Sequence, residues 1–394
     1  MNTASTGSVL IYGAYGYTGQ LVSQTAITHG LDPILAGRDG DRLRKLGRER
    51  QCSVREFDLS IPEIVAESIR DVDVVCNCAG PFSRTTEPLV DACIEGQTDY
   101  LDVTGEWQVF EALAARHAEA VAADVTLLPG IGFDVVATDC LAAALHEQVP
   151  AATHLELGVD ADMTVSRGTA RTAVHGLGGG TVVREADALV TIPTGTRWQR
   201  INAGRGERDA VAVSLGDVVT AAWTTGIPNV TVYVTVPPRY IKPLSFARWA
   251  EPVFRTWPVR WLLDRIVQRH IDDPTPEERA HHTVCLWGRA SIAADRDPTH
   301  DGTHNMDGNW NGMDESRDGT DESRDGTDTN EDSFGRQATM RLQTPDPYTV
   351  TARTAVDATE RVLRGDAPAG FTTPAGAFGL SMIDIVDGVS WLES

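Results

Sequence analysis

The sequence predicts an α/β protein: a doubly wound parallel sheet followed by a second, α+β domain. Three observations carry this expectation. Apolar strands alternate with helices over the first 135 residues. A glycine-rich turn, GAYGYTG at 13–19, falls between the first strand and the first helix. Beyond Thr153 the alternation gives way to longer strand-like stretches with fewer helices between them. Strand–helix alternation with fully apolar strands is the mark of a parallel sheet covered on both faces. At roughly 150 residues per domain, 394 residues suggest two or three domains, ample to bury a core.

The elements follow in order. Ser8–Ala14 reads as a strand, Tyr17–His29 as a helix closed by Gly30, and Pro33–Arg38 as the second strand. Asp41–Arg50 is helical, Ser53–Leu59 a strand, Ile61–Arg70 a helix, and Asp73–Ala79 a near-continuous apolar strand. A helix ending near Gly96, the strand Asp99–Thr104, one long helix over Glu106–Ala123 and the strand Val125–Pro129 complete the pattern. Domain limits are expected at 1–135 for the nucleotide-binding fold and 136–347 for a substrate or dimerisation domain. Within the latter, Asn229–Val236 and Thr283–Ala293 are its clearest strands. Residues 348–394 are expected to be helical at Tyr348–Leu363 and Ala377–Leu392 and to pack back on the first domain.

One segment departs from this composition. Asp295–Asp332 holds 13 acids against three bases and repeats DESRDGT at 314–320 and 321–327. No apolar residue recurs in the repeat, so it is no coiled-coil heptad. Too little apolar surface is available there to offset ordering entropy, and a disordered insertion is expected. The EF-hand ligand pattern is absent from it.

The net charge is −22, which argues against nucleic acid as a partner, because phosphate binding needs a positive field. Of 34 basic residues only Lys45 and Lys242 are lysine, a balance expected of a protein kept soluble in high salt. The first residues show no basic cluster or apolar core of a secretory signal, and no run of 18 apolar residues occurs, so a cytoplasmic location is expected. The six cysteines lie scattered in apolar stretches. Cys76 and Cys78 are expected to turn to opposite faces of a buried strand, as core thiols and not metal ligands, and no metal is expected.

The glycine turn carries the sharpest chemistry. Gly13 permits the tight turn, Gly16 lets backbone approach a pyrophosphate, and Gly19 allows close helix–strand packing, with Tyr15, Tyr17 and Thr18 lining the same loop. The phosphates would then meet the bare N–H groups of a helix N-terminus. Its spacing is G-x-x-G-x-x-G, so position within the alternation carries the argument, not the motif alone. The second strand ends in Ala-Gly-Arg, and Arg38 stands where an NAD site would place a carboxylate. A guanidinium there can hold a 2′-phosphate, which points to NADP(H). Asp58, ending the third strand, is placed near the adenine, with a capping role as the plainer alternative. Ala79, Gly80 and Pro81 are expected on the nicotinamide side.

Other chemistries find no support. Neither lysine has a tyrosine four residues before it, since Asp41 and Pro238 stand there, so no Tyr-x-x-x-Lys pair exists. P-loop, zincin and nucleophile-elbow motifs are absent. The set GAYGYTG, AGR, CNCAGPF (76–82), DYLDVTGE (99–106) and LPGIGFDVVATD (128–139) resembles the saccharopine dehydrogenase-like oxidoreductases, within them the branch that includes the trans-acting enoyl reductases. RGTARTAVHGLGGGT (167–181), TPDPYTVTARTAVDA (344–358) and TPAGAFG (373–379) extend the likeness over most of the chain, outside the acidic insertion. The resemblance implies a Rossmann domain joined to an α+β substrate domain, and NADPH-driven reduction of a C=N or activated C=C bond.

Such a reduction needs a proton donor. Tyr100, Asp102, Glu106 and Asp134 cluster after the fifth and sixth strands and are the candidates there, against structural hydrogen bonding for Asp102 and helix capping for Asp134. Arg167, Arg171 and His175 lie in a glycine-rich stretch suited to closing over the cofactor, where Arg171 is a candidate for a substrate carboxylate or the cofactor phosphates, against a surface ion pair, and His175 for proton donation, against a plain hydrogen bond. Arg239–Arg269 carries seven bases, two acids and interleaved Trp and Phe, which suits a lid over a lipid-like substrate or a peripheral membrane contact; the plainer reading is an interdomain or dimer-interface helix. A homodimer acting on a small, lipid-like or isoprenoid precursor is the leading expectation. A non-catalytic NADP sensor and a saccharopine- or opine-type dehydrogenase are the alternatives.

Overall fold

The computed structural model describes residues 7–161, 179–237, 282–293 and 334–392, with isolated positions between 256 and 277. Six strands open the chain: β1 (Val9–Tyr12), β2 (Ile34–Gly37), β3 (Val54–Glu56), β4 (Val74–Asn77), β5 (Asp99–Asp102) and β6 (Thr126–Leu128). They alternate with α1 (Tyr17–Thr28), α2 (Gly40–Arg50), α3 (Pro62–Ile69), α4 (Phe82–Gly96), α5 (Trp107–Ala115) and α6 (His117–Ala123). The strands pair in parallel in the order β3-β2-β1-β4-β5-β6, the doubly wound arrangement expected. β1 and β4 are buried along their whole length, because helices cover both faces. Chain direction around the sheet reverses between β1 and β4, which opens a crevice at their carboxyl ends. Register sets Tyr12 level with Ala36 and Asn77, and Asn77 level with Asp102, so four strand ends meet at that crevice.

Two expectations for this half are corrected. The single helix over 106–123 is two, broken at Arg116, whose backbone leaves the helical region (φ −93°, ψ 5°). Its guanidinium bonds Asp91 on α4 and Glu119 on α6, holding the break from outside; no Pro or Gly marks it. Cys76 and Cys78 do not part to opposite faces. Residues two apart on a strand share one, and their thiols meet, which together with burial raises the Cys78 pKa. All six cysteines are free, and among the described residues no group of His, Cys, Asp and Glu could hold a metal.

The long helix α7 (Phe133–Gln148) leads into a mixed sheet of nine strands. Its main path joins β10 (Trp198–Asn202), β11 (Glu207–Val213), β12 (Asn229–Thr235), β7 (His154–Ala161), β13 (Thr283–Ala293), β14 (Phe334–Pro345) and β16 (Ser390–Leu392); β8 (Thr181–Glu185) and β9 (Ala188–Ile192) pair beside β12. Only β7 and β12 run parallel; the other pairs are antiparallel. Helices α7 and α8 (Asp217–Thr225) pack one face of this sheet: Gly288 on β13 has no side chain, and a Cβ there would lie 2.6 Å from Leu145.

The C-terminal segment visits both sheets. Asp346 caps α9 (Pro347–Leu363) by accepting from the N–H groups of Tyr348 and Thr349, with Pro347 at the first helical position. That helix lies against α1, where Tyr17 meets Tyr348 edge-on at 5.0 Å. Gly370–Phe371 then adds a seventh parallel strand, β15, beside β6. Residues 377–392 are not one helix, contrary to expectation. Two short helices, α10 (Pro374–Phe378) and α11 (Ser381–Asp384), are followed by β16, because Gly379 (φ 63°) and Gly388 (φ 87°) take left-handed conformations that no helix contains. The acidic insertion 295–332, nearly all of 239–269, and Arg167, Arg171 and His175 lie outside the described residues. Among the described residues no helix is long and apolar enough to cross a membrane.

Candidate cofactor site and reaction cleft

The turn from β1 to α1 is built for backbone, not side chains. Gly13 has φ 81°, and a Cβ on it would stand 2.8–2.9 Å from Ala79, including its backbone. A Cβ on Gly19 would fall 2.3 Å from the Gly13 carbonyl. Gly16 is the N-cap of α1 and supplies no side chain to it, and no acid occupies the first turn. A helix start with neither a side-chain cap from its N-cap residue nor an acid in its first turn, at the switch point, is a fit for a pyrophosphate.

At the adenosine side, Arg38 is exposed at the end of β2, close enough to Asp58 to help lower its carboxyl pKa. The larger cause is the hydrogen bond from Ser60, whose N–H donates to Asp58 Oδ1 at 2.8 Å. Asp58 thus shapes the turn after β3 and does not cap α3, whose N-cap is Ile61. Asp39, next to Arg38, caps α2 by accepting from the Arg42 N–H at 3.1 Å. Tyr15 is half-buried over the bare backbone of Gly37, where a Cβ would come within 2.7 Å of its ring. Arg42 covers that ring, 4.6 Å from its centre, and donates to the Tyr15 carbonyl at 3.2 Å. Sequence reasoning missed Arg42, although it lies one helical turn after Arg38.

Ala79, Gly80 and Pro81, expected beside the nicotinamide, form the loop after β4, with the Gly80–Pro81 bond cis. Asn77 holds that loop: its Oδ1 accepts from Ala79 N–H at 3.0 Å, and its Nδ2 donates to Thr85 Oγ1 at 3.1 Å. Thr85 in turn donates to the Ala79 carbonyl at 2.7 Å. Glu106 fills the N-terminus of α4, accepting from Phe82 N–H at 2.8 Å and Ser83 N–H at 3.0 Å. The α4 start is thus occupied by the chain's own carboxylate, whereas α1 has no acid in its first turn.

Tyr100 and Asp102, the first two candidate proton donors, lie inside the protein. They do share a strand face, but both are wholly buried, with no exposed surface for a substrate to touch. Tyr100 Oη donates to Asp102 Oδ2 at 2.9 Å and accepts from Asn77 Nδ2 at 3.1 Å, with Thr86 Oγ1 at 3.0 Å. Asp102 Oδ1 takes the N–H groups of Thr104 and Gly130, each at 3.0 Å. Burial lifts the Asp102 pKa to about 6 against the pull of these donors, and raises that of the Tyr100 phenol. Their role is positional: they tie the loops after β4, β5 and β6 into one frame.

Asp134 differs. It stands in the first turn of α7, whose N-cap is Gly132, and its side chain reaches solvent. It faces Gly105, where a Cβ would lie 3.1 Å from Asp134 Oδ2. Desolvation by surrounding protein nevertheless raises its pKa. The preceding loop is fixed from α9, where Thr351 Oγ1 accepts from Phe133 N–H at 3.0 Å and Thr354 Oγ1 donates to the Ile131 carbonyl at 2.7 Å.

A family model described as the saccharopine dehydrogenase NADP binding domain matches residues 9–128. A saccharopine dehydrogenase-like oxidoreductase from Homo sapiens is 29% identical over 151 residues, 33% of this chain and 35% of that protein. A trans-acting enoyl reductase from Mycobacterium leprae is 29% identical over 191 residues, 46% of this chain and 44% of that one. The chain spans less than half the length of these curated relatives. The solved apo saccharopine dehydrogenase (L-Glu forming) from Saccharomyces cerevisiae superposes with a TM-score of 0.59 over 98% of this chain and 100% of that one, at 12% identity, a likeness of architecture alone. With its glycine turn and exposed Arg38, the segment 9–128 is similar to the saccharopine dehydrogenase NADP binding domain, and NADP(H) is the cofactor it holds.

Proposed function

We propose that the protein is an NADPH-dependent oxidoreductase that reduces a C=C or C=N bond, with Asp134 as its proton donor. The observation that carries this reading is the contrast among the three carboxyls near the cleft. Asp102 is sealed in, Glu106 is committed to a helix start, and Asp134 alone of these is open to solvent with its pKa raised by desolvation. The bound cofactor supplies a hydride to an electrophilic carbon. Asp134 gives its proton to the neighbouring atom of the same double bond and regains one from the solvent it touches. Asn77, Thr85 and Glu106 hold the loop over which the substrate lies, and Asp102 sets the loops on either side.

The enoyl reductase relatives support an activated C=C bond, and the shared architecture with a saccharopine dehydrogenase keeps C=N in view. A lipid-like or isoprenoid precursor is our choice of substrate, with the aromatic and basic stretch 239–269 assigned to its tail or to a membrane surface. The test offers 2-enoyl thioesters of increasing chain length and a cyclic imine, following consumption of NADPH. Asp134→Asn is expected to bind NADPH as the wild type does while turnover falls by roughly 10²–10⁴. Full turnover in that variant would remove Asp134 as donor, and no oxidation of NADPH by either class would sink the reductase reading.

A further inference from the structure

We propose that Arg42 is a second arm of the 2′-phosphate site, acting with Arg38, and that Tyr15 holds it ready between the two loops flanking the adenosine ribose. This rests on NADP(H) binding alone and not on the reaction proposed above.

Placement is the first argument. Arg42 rises from the first turn of α2, and its guanidinium crosses to the glycine turn, where it meets both the ring and the carbonyl of Tyr15. The Tyr15 ring rests in turn on Gly37, at the end of β2. The cation thus spans the gap between the β1–α1 and β2–α2 loops, where a dinucleotide fold seats the adenosine ribose.

Charge is the second. Neighbouring arginines are neutralised: Arg44 pairs with Asp41 and Glu56, and Arg55 with Asp71. Arg42 and Arg38 are both exposed, and among the described residues neither has a carboxylate within ion-pair distance. The nearby acids are engaged elsewhere, Asp39 on the Arg42 backbone N–H and Asp58 on Ser60. Two exposed guanidiniums without a carboxylate partner, on residues four apart at the turn from β2 to α2, are left for a dianion to complete in a chain of net charge −22. An exposed contact with a ring and one carbonyl is a weak hold beside charge-assisted bonds to phosphate oxygens, so the side chain can transfer.

The experiment is calorimetric titration of NADPH, NADH, adenosine 2′,5′-bisphosphate and 5′-AMP into wild type, Arg42→Ala and Arg42→Lys at one fixed salt concentration. Arg42→Ala is expected to weaken NADPH and the bisphosphate by roughly 10-fold or more, leaving NADH and AMP within about twofold. Arg42→Lys should recover part of the loss, since the charge stays and the planar fork goes. Unchanged NADH binding shows that the variants are folded. Equal losses for NADPH and NADH would mean that Arg42 only shapes the turn through Tyr15, and no loss at all would mean that it does not reach the phosphate; either result overturns the proposal. A wild type that binds NADPH no better than NADH would overturn the 2′-phosphate site as a whole, Arg38 included.

Discussion

The carboxyl end of the first sheet and the seam between α7 and α8 both bury aspartates, and they treat them in opposite ways. Asp102 accepts three hydrogen bonds, from Tyr100 Oη and the N–H groups of Thr104 and Gly130. Asp217, at the start of α8, is equally buried, yet among the described residues neither of its oxygens has a hydrogen-bond partner, and Thr220 Oγ1 has none either. Thr138 is near enough to pull the Asp217 pKa down, but its hydroxyl is committed to the Val135 carbonyl. Burial dominates, with Asp139 and Asp134 adding to it, and the pKa rises to about 7. Asp139 is intermediate: Thr224 Oγ1 and Ala375 N–H donate to it at 2.6 and 2.8 Å, and its pKa is about 6. A buried carboxyl surrounded by donors organises loops. One poor in donors is pushed by burial toward its protonated form.

The contrast breaks most visibly at Asp102. Asp102→Ala leaves two buried N–H groups and a phenol without an acceptor and is expected to cost about 3–5 kcal/mol in chemical denaturation, with weaker NADPH binding as the loops loosen. A loss below about 1 kcal/mol would show that the frame holds without its carboxylate. At Asp217 the sign reverses. Its folded-state pKa, about 7, stands above the usual carboxyl value of 3.8, so the folded protein keeps a proton that the unfolded chain releases. Stability from this group is complete below pH 4 and is lost as pH rises through 7. Between pH 5 and 8 the fall from Asp217 alone is about 2–3 kcal/mol, and Asp217→Asn is expected to remove that part of the slope. A slope unchanged in the variant would place the proton elsewhere. The smallest effect is expected at the filled helix start: Glu106→Gln keeps one acceptor and should cost about 1 kcal/mol, read as a shift in the denaturation midpoint.

The sequence alone disclosed the first sheet nearly strand by strand, because apolar runs and turn glycines are local signals that survive without a partner. It disclosed Gly13, Gly16, Gly19 and Arg38 for the same reason. The position of Asp102 behind the crevice, not in it, depends on Gly130 and Thr104 folding over it from two other loops. Arg42 has no local mark beyond its helical distance from Arg38, and its contact with Tyr15 crosses 27 residues. The break at Arg116 is held by Asp91 on another helix. In each case the missing information was the identity of a distant neighbour.

The strand at Gly370–Phe371 carries a consequence for how the molecule is made. It closes the outer edge of β6, and Thr126 Oγ1 reaches Pro368 across 242 residues of chain. On the ribosome, at about 5–20 residues per second, β6 waits roughly 10–50 s with its edge groups unpaired while the second sheet is being synthesised. An unpaired edge invites pairing with a neighbouring nascent chain. The nucleotide-binding half emerges before the second sheet and is sealed after it, and its exposure during translation grows with every residue inserted between Leu128 and Gly370.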